Sequence, residues 1–103
     1  MLIYCSHEFA GNPRNRRKIG DKVKDLQLYD SENTYISPIH CFGFMYHDMS
    51  YDDRMRLCLD LLDVCDEMWV LSASSEGVKL EMEYAKEHGI PIVIMDYERE
   101  YEG

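Results

Sequence analysis

The sequence predicts a single α/β domain built on a parallel sheet of about four strands. Three observations indicate this fold class. Short apolar runs alternate with longer segments of helical periodicity along the chain. The apolar runs lack polar alternation, which is typical of parallel strands covered on both faces. The segment 72–77 joins one such run to a helix, as at the ligand-binding edge of open parallel sheets.

Composition and charge narrow the class of protein further. With 103 residues, 46% of them hydrophobic, the chain can form one modest core and does not have a disordered composition. A net charge of −9 argues against binding to duplex nucleic acid or to an anionic membrane, since both require a basic face. We expect no signal peptide and no transmembrane run. The four cysteines form no Cys-x-x-Cys pair, so we expect a cytoplasmic protein with reduced thiols.

The first part of the chain is predicted to form a strand, a helix and a second strand. Residues 2–5 are apolar throughout, as a central strand should be. Asn12 can cap a helix and Pro13 suits its first position, and apolar periodicity continues the helix to about residue 26 or 28. Residues 34–37 form the second predicted strand, which a proline ends.

A basic cluster opens the first helix, where the positive end of the helix dipole favours acids. Its members are Arg14, Arg16, Arg17 and Lys18. In a chain of net charge −9, such a cluster indicates a bound anion, and Arg14 and Arg17 are candidates to contact it. The alternative is a solvated face whose charges point away from the sheet.

The segment 39–49 is predicted as a loop dense in aromatic and ionisable side chains. Because it follows the carboxyl end of a strand, it should face the same sheet edge as residues 72–77. It could stack a nucleobase or cover a pocket, and the alternative is a loop packed on its own hydrophobic side chains. No metal is expected, because the spacing of the candidate ligands matches no known zinc framework. These candidates are His7, His40, Cys41 and His47.

The second part of the chain is predicted to form a helix, a strand, a helix and a last strand. Ser50 caps a helix that extends to about Cys65. The apolar surface of this helix is wider than one sheet face requires, so we expect a homodimer or larger assembly through it. Residues 68–71 and 90–95 are the last two strands, and the acidic tail at 96–103 is expected to be frayed.

The turn and helix after the third strand carry the candidate chemistry. Ser74 or Ser75 is the predicted N-cap, and Gly89 closes the helix in the C′ position. Helical periodicity puts Glu81 about 60° from the centre of the buried stripe of this helix. A half-desolvated carboxylate at the sheet edge could act as a nucleophile or base. The alternative is a boundary residue with no chemical role.

The motif Ser-x-Gly-x-x-x-Glu-x-x-x-Ala after an apolar strand resembles the nucleoside 2-deoxyribosyltransferase superfamily, which includes nucleotide 5′-monophosphate N-glycosidases. Here the motif comprises Ser75, Gly77, Glu81 and Ala85. Small, often phage-borne members of that superfamily are similar to residues 1–95 of this chain. The shared patterns are Pro38-Ile39-His40, Leu61-Leu62-Asp63-Val64-Cys65-Asp66-Glu67-Met68-Trp69-Val70 and Ser75-Glu76-Gly77.

The resemblance implies a Rossmann-like or flavodoxin-like domain that acts on a small-molecule nucleoside or nucleotide without a cofactor. It implies that Glu81 attacks the anomeric carbon, while Ser75 and Gly77 form a turn that holds the 5′-phosphate. With right-handed crossovers it favours sheet order 2-1-3-4 and helices on both faces. Tyr4, at the end of the first strand, is expected to steady the sugar or the nucleophile. The other expected substrate contacts are Ser6, His40, Arg14 and Arg17.

One position departs from the superfamily. Its enzymes carry a catalytic Asp about two helical turns before the Asp that precedes the strand. Counting back from Asp66, that place falls on Cys58, and Asp60 lies about 200° around the helix from it. The expected function is cleavage or transfer of the N-glycosidic bond of a (deoxy)nucleoside 5′-monophosphate. The alternative is a non-catalytic module that binds a nucleotide or nucleotide-derived signal.

Overall fold

A sheet of four parallel strands forms the centre of the protein. The strands are β1 (Leu2–Ser6), β2 (Thr34–Ile36), β3 (Glu67–Val70) and β4 (Ile92–Ile94). Their order is β2-β1-β3-β4 and every neighbouring pair is parallel, which confirms the predicted α/β class and strand order. The computed structural model describes residues 1–95, so the predicted tail at 96–103 lies outside the described residues.

Four α-helices connect the strands. They are α1 (Pro13–Tyr29), α2 (Pro38–Phe42), α3 (Tyr51–Asp63) and α4 (Glu76–Glu87). The predicted caps are confirmed at α1, α3 and α4, where the Asn12, Ser50 and Ser75 side chains each accept a hydrogen bond from a first-turn amide. Within residues 1–95, no helix has the length and apolar character needed to cross a membrane.

The prediction of a loop at 39–49 is wrong over its first half. The short helix α2 begins directly after β2, and a 3-10 turn, Gly43–Met45, follows it. The Ser37 hydroxyl accepts a hydrogen bond from the amide of His40 at 3.3 Å, and Pro38 occupies the first helical position. Ser37 and Pro38 therefore start a helix, because a proline at that position needs no amide donor.

Each face of the sheet carries its own hydrophobic cluster. Helices α1 and α2 cover one face through the buried side chains of Ile19 and Ile39. Helices α3 and α4 cover the other face through residues that include Leu62 and Val78. Because side chains alternate along a strand, the residues of β1 divide between the two clusters, and Tyr4 lies on the face covered by α3 and α4. This alternation decides which side chains of β1 reach α4.

Candidate functional site

Glu81 is a buried carboxylate held by two hydroxyl groups of β1. Only 6% of the residue is exposed, although it stands on a surface helix. The Tyr4 hydroxyl donates a hydrogen bond to Oε2, and the Ser6 hydroxyl donates to Oε1 at 3.0 Å. Tyr4 and Ser6 are two positions apart on β1, so both point to the face that α4 covers. The carboxylate is therefore fixed in position through both of its oxygens.

The ionisable side chains of Tyr4 and Cys58, next to Glu81, are neutral at physiological pH. Burial raises the pKa of Glu81 to about 7, and the hydrogen bonds from Tyr4 and Ser6 oppose part of that rise. Burial, and then the nearby Glu81, raise the pKa of Tyr4 well above its usual value. The same two causes raise the pKa of the Cys58 thiol to about 12. Glu81 is thus the group of this cluster that changes charge near neutral pH.

Glu81 opens onto a cavity of about 420 Å³. Its walls come from the loop after β1, from the start of α1, from α2 and the turn that follows, and from the first turns of α3 and α4. The aromatic side chains in these walls are Phe9, Phe42, Tyr46 and Tyr51. A volume of this size accommodates a small organic ligand, and aromatic walls suit a planar ring.

The structure brings most of the predicted site residues together. Ser75, Gly77 and Glu81 line the cavity side by side on α4 and at its N-cap. Tyr4 and Ser6 are fully buried behind the carboxylate, so they act on Glu81 rather than on a ligand. Cys58, at the place of the expected Asp, also lines the cavity.

The predicted contacts by Arg14, Arg17 and His40 are not found at this cavity. Arg14 and Arg17 are exposed on α1. Arg17 and His40 line a separate surface groove between α1 and β2, and a β-carbon added to Gly20 would lie 3.1 Å from His40 Nε2. The α1 side chain that lines the cavity is Asn15. The reason is helical phase: Asn15 shares the side of buried Ile19, from which Arg14 and Arg17 point away.

Sequence reasoning missed a buried pair beside the cavity, His7 and Lys22. The Lys22 ammonium donates a hydrogen bond to the carbonyl of Leu71 at 2.6 Å and lies 3.2 Å from His7 Nε2. His7 Nδ1 lies 2.7 Å from the carbonyl of Glu8. A carbonyl only accepts and an ammonium only donates, so the proton of this ring is on Nδ1. Helical phase is the signal that could have found Lys22: it lies about 60° from buried Ile19, whereas the exposed Lys18 and Lys24 lie about 100° and about 140° away.

The second residue missed by sequence reasoning is Arg54, which lines the cavity from α3. Its Nη1 donates hydrogen bonds to the carbonyls of Tyr46 at 3.0 Å and Met49 at 2.8 Å. The guanidinium carbon lies 4.0 Å from the centre of the Tyr46 ring. A predicted helix with several apolar stripes does not reveal which way its arginines point, so the sequence alone did not identify this residue.

Metal ligands do not cluster in the part of the chain that the structure describes. Within residues 1–95, no group of three or more His, Cys, Asp or Glu side chains could hold a metal ion. The four cysteines are free thiols, of which Cys5 and Cys65 are buried.

Comparison with protein families gives a match over most of the chain. Residues 1–94 match the model of a family described as a domain of unknown function, DUF4406. Comparisons with curated proteins and with solved structures gave no match. The family match spans every strand and helix described above, together with the cavity and Glu81. The chain therefore belongs to the DUF4406 family.

Proposed function

We propose that this protein cleaves or transfers the N-glycosidic bond of a (deoxy)nucleoside 5′-monophosphate, with Glu81 as the nucleophile. The observation that carries the proposal is the buried Glu81 carboxylate, fixed by Tyr4 and Ser6 and open to the cavity. A carboxylate that is held in place and partly desolvated is suited to attack an electrophilic carbon. The resemblance of the Ser75–Glu81 motif to nucleoside 2-deoxyribosyltransferases supports the same role.

In the proposed reaction, an ionised oxygen of Glu81 attacks the anomeric carbon of the sugar. The bond from that carbon to the base breaks, and its electron pair leaves with the base, which takes up a proton from water. A second water molecule, or a second base, then attacks the same carbon and loses a proton, while the ester bond breaks and Glu81 leaves as a carboxylate. Two displacements of this kind retain configuration, as in retaining glycosidases.

The electrostatics around Glu81 suit this sequence of steps. At a pKa of about 7, a substantial fraction of Glu81 is ionised at neutral pH and available as a nucleophile. Tyr4 stays protonated because its pKa is well above the usual value, so it keeps donating to the carboxylate. The four free thiols agree with a reducing, cytoplasmic location for the proposed activity.

The experiment is to incubate the protein with each (deoxy)nucleoside and each 5′-monophosphate and to measure free base by chromatography. We expect base release by the wild type and a loss of at least about 1000-fold in Glu81→Gln. Glu83→Gln is the matched control, because Glu83 is exposed on the same helix. No base release from any substrate, or equal release by Glu81→Gln, would contradict the proposal.

Cys58 favours a second candidate function, a module that binds the nucleotide without cleaving it. The resemblance expects a carboxylic acid at this place, whereas burial and Glu81 raise the pKa of the Cys58 thiol to about 12. A thiol with that pKa cannot exchange protons at neutral pH as a carboxylic acid would. Saturable binding of a nucleotide that chromatography recovers intact would favour this candidate over the enzyme.

A further inference from the structure

The cavity is lined by an arginine, Arg54, that contacts no carboxylate within residues 1–95. Within residues 1–95, the arginine of α3 that forms an ion pair is Arg56, which lies 3.5 Å from Asp60 on the exposed face. Arg54, on the cavity side, instead donates to two backbone carbonyls. A half-buried guanidinium without a carboxylate partner is unusual in a chain of net charge −9.

The contacts of Arg54 hold its head group in place. Two carbonyls share Nη1, and the guanidinium lies over the Tyr46 ring. Stacking on an aromatic face and hydrogen bonds to carbonyls orient the plane of the guanidinium without neutralising its charge. Within the described residues both of these hydrogen bonds use Nη1, so the other edge of the fork is available to a ligand.

Arg54 lines the cavity from α3, a helix that packs against the start of α4. Its neighbour Met55 packs there, with Sδ 3.7 Å from the place where a β-carbon on Gly77 would lie. The charge of Arg54 also acts on two other lining residues, because it lowers the pKa of Tyr51 and Cys58 against the effect of burial. The other charged lining residues that the structure describes are acidic: Glu8, Glu76 and Glu81.

We propose that Arg54 is the anion-recognising residue of this cavity and that its ligand is the phosphate monoester of the nucleotide. This inference rests on the proposed function for the nucleotide as ligand, but not on its cleavage. The basic cluster of α1 lies outside the cavity, so Arg54 is the permanent cation among the described residues that line it. An arginine fork forms paired hydrogen bonds with phosphate oxygens, which an uncharged nucleoside cannot accept.

The test compares the four deoxynucleoside 5′-monophosphates with the four deoxynucleosides by calorimetric titration. The measured quantity is the ratio of nucleoside Kd to nucleotide Kd within one variant. We expect the wild type to favour the nucleotide and Arg54→Gln to reduce the ratio by about tenfold to a hundredfold. Arg54→Lys keeps the charge but not the fork and should fall between them.

A control variant and the use of a ratio separate recognition from structural damage. Arg56→Gln removes an exposed arginine two positions away and should leave the ratio unchanged. Loss of the carbonyl contacts in Arg54→Gln could disturb residues 46–49, but such damage weakens nucleoside and nucleotide alike and leaves the ratio at its wild-type value. An unchanged ratio in Arg54→Gln therefore overturns the inference, as does the absence of any nucleotide preference in the wild type.

The same samples distinguish this inference from the proposed function. Chromatography after each titration reports whether base has been released. Intact nucleotide with an Arg54-dependent ratio overturns the proposed cleavage and supports the role of Arg54. Base release with a ratio that does not depend on Arg54 supports the cleavage and overturns the role of Arg54.

Discussion

The Tyr4 hydroxyl donates a hydrogen bond to Glu81 across 77 positions of sequence, which ties the central strand to α4 at the cavity. This bond stabilises the ionised form of Glu81, so its removal should raise the pKa of Glu81 above about 7. We therefore expect Tyr4→Phe to shift the titration of Glu81 upward, as measured by NMR of the labelled side-chain carboxyl carbon. An unchanged or lower pKa in Tyr4→Phe would show that the hydroxyl does not support the carboxylate.

The free energy of unfolding should decrease as pH rises, because the buried Glu81 carboxyl loses its proton. Its folded-state pKa of about 7 is above the ordinary value of 4.5, so the stability linked to it is fully present below about pH 4.5 and is lost as pH rises through about 7. The shift corresponds to about 3 kcal/mol. We expect Glu81→Gln to be more stable than the wild type at pH 8 and to lose this pH dependence in urea unfolding. Equal slopes against pH in the two proteins would contradict the burial of an ionisable Glu81.

Much of the fold follows from local signals in the sequence. Asn12 before Pro13 marks the start of α1, and Gly89 adopts the positive φ of 69° that the C′ prediction requires. The apolar runs predict all four strands, although two of them are shorter than their runs, since β2 ends at Ile36 and β4 begins at Ile92. These elements were predictable because neighbouring residues determine caps, turns and periodicity.

The site was only partly predictable. Glu81 stands on the shoulder of α4, and its periodicity gave the right face before the partners on β1 were known. The sequence also predicts that the α1 arginines point away from the sheet. At about 100° per residue, Arg14 and Arg17 lie about 140° and about 160° around the helix from Ile19. The orientation of Arg54 could not be predicted, because it depends on hydrogen bonds to the carbonyls of residues 46 and 49, and no periodic pattern indicates where those carbonyls lie.

Any residue other than glycine at position 11 should lower the stability of the protein, because the loop after β1 lies against the Tyr46 ring there. Gly11 has a φ of 69°, and a β-carbon added there would lie 2.8 Å from the Tyr46 ring. Gly89 has the same φ but nothing within 4 Å, so Gly89→Ala isolates the backbone cost. We expect Gly11→Ala to cost about 1–3 kcal/mol more than Gly89→Ala in urea unfolding. Equal losses would mean that Tyr46 moves aside without cost.

Two replacements of Ser75 should separate its role as the N-cap of α4 from its role in the preference for phosphorylated ligands. Asp caps a helix about as well as Ser, so Ser75→Asp should fold normally while Ser75→Ala loses about 1 kcal/mol. We expect monophosphates to raise the melting temperature of the wild type more than nucleosides do, with a difference that shrinks in salt. Ser75→Asp should abolish that difference through like-charge repulsion. Equal shifts for both ligands in the wild type, unaltered in Ser75→Asp, would contradict a phosphate at this turn.

We expect a homodimer or larger assembly through α3. Val64, at the C-cap of this helix, is 66% exposed, and Leu28 on α1 is 79% exposed. Val64→Glu should shift the mass measured by light scattering towards the monomer, because it places a charge in an apolar contact. Leu28→Glu, on the other side of the sheet, should leave the mass unchanged. A monomer mass for the wild type at micromolar concentration would contradict the assembly.

The position of β1 in the middle of the sheet has a consequence for synthesis on the ribosome. This strand precedes both of its sheet neighbours in the sequence, so Tyr4 can pair with Met68 only after α1, β2, α2 and α3 have been translated. Until then the apolar strand has an open edge, and pairing over such sequence separations closes slowly. The open edge of β1 is therefore exposed to misassembly and to chaperones until β3 has emerged, and the carboxylate site cannot exist until α4 has left the exit tunnel.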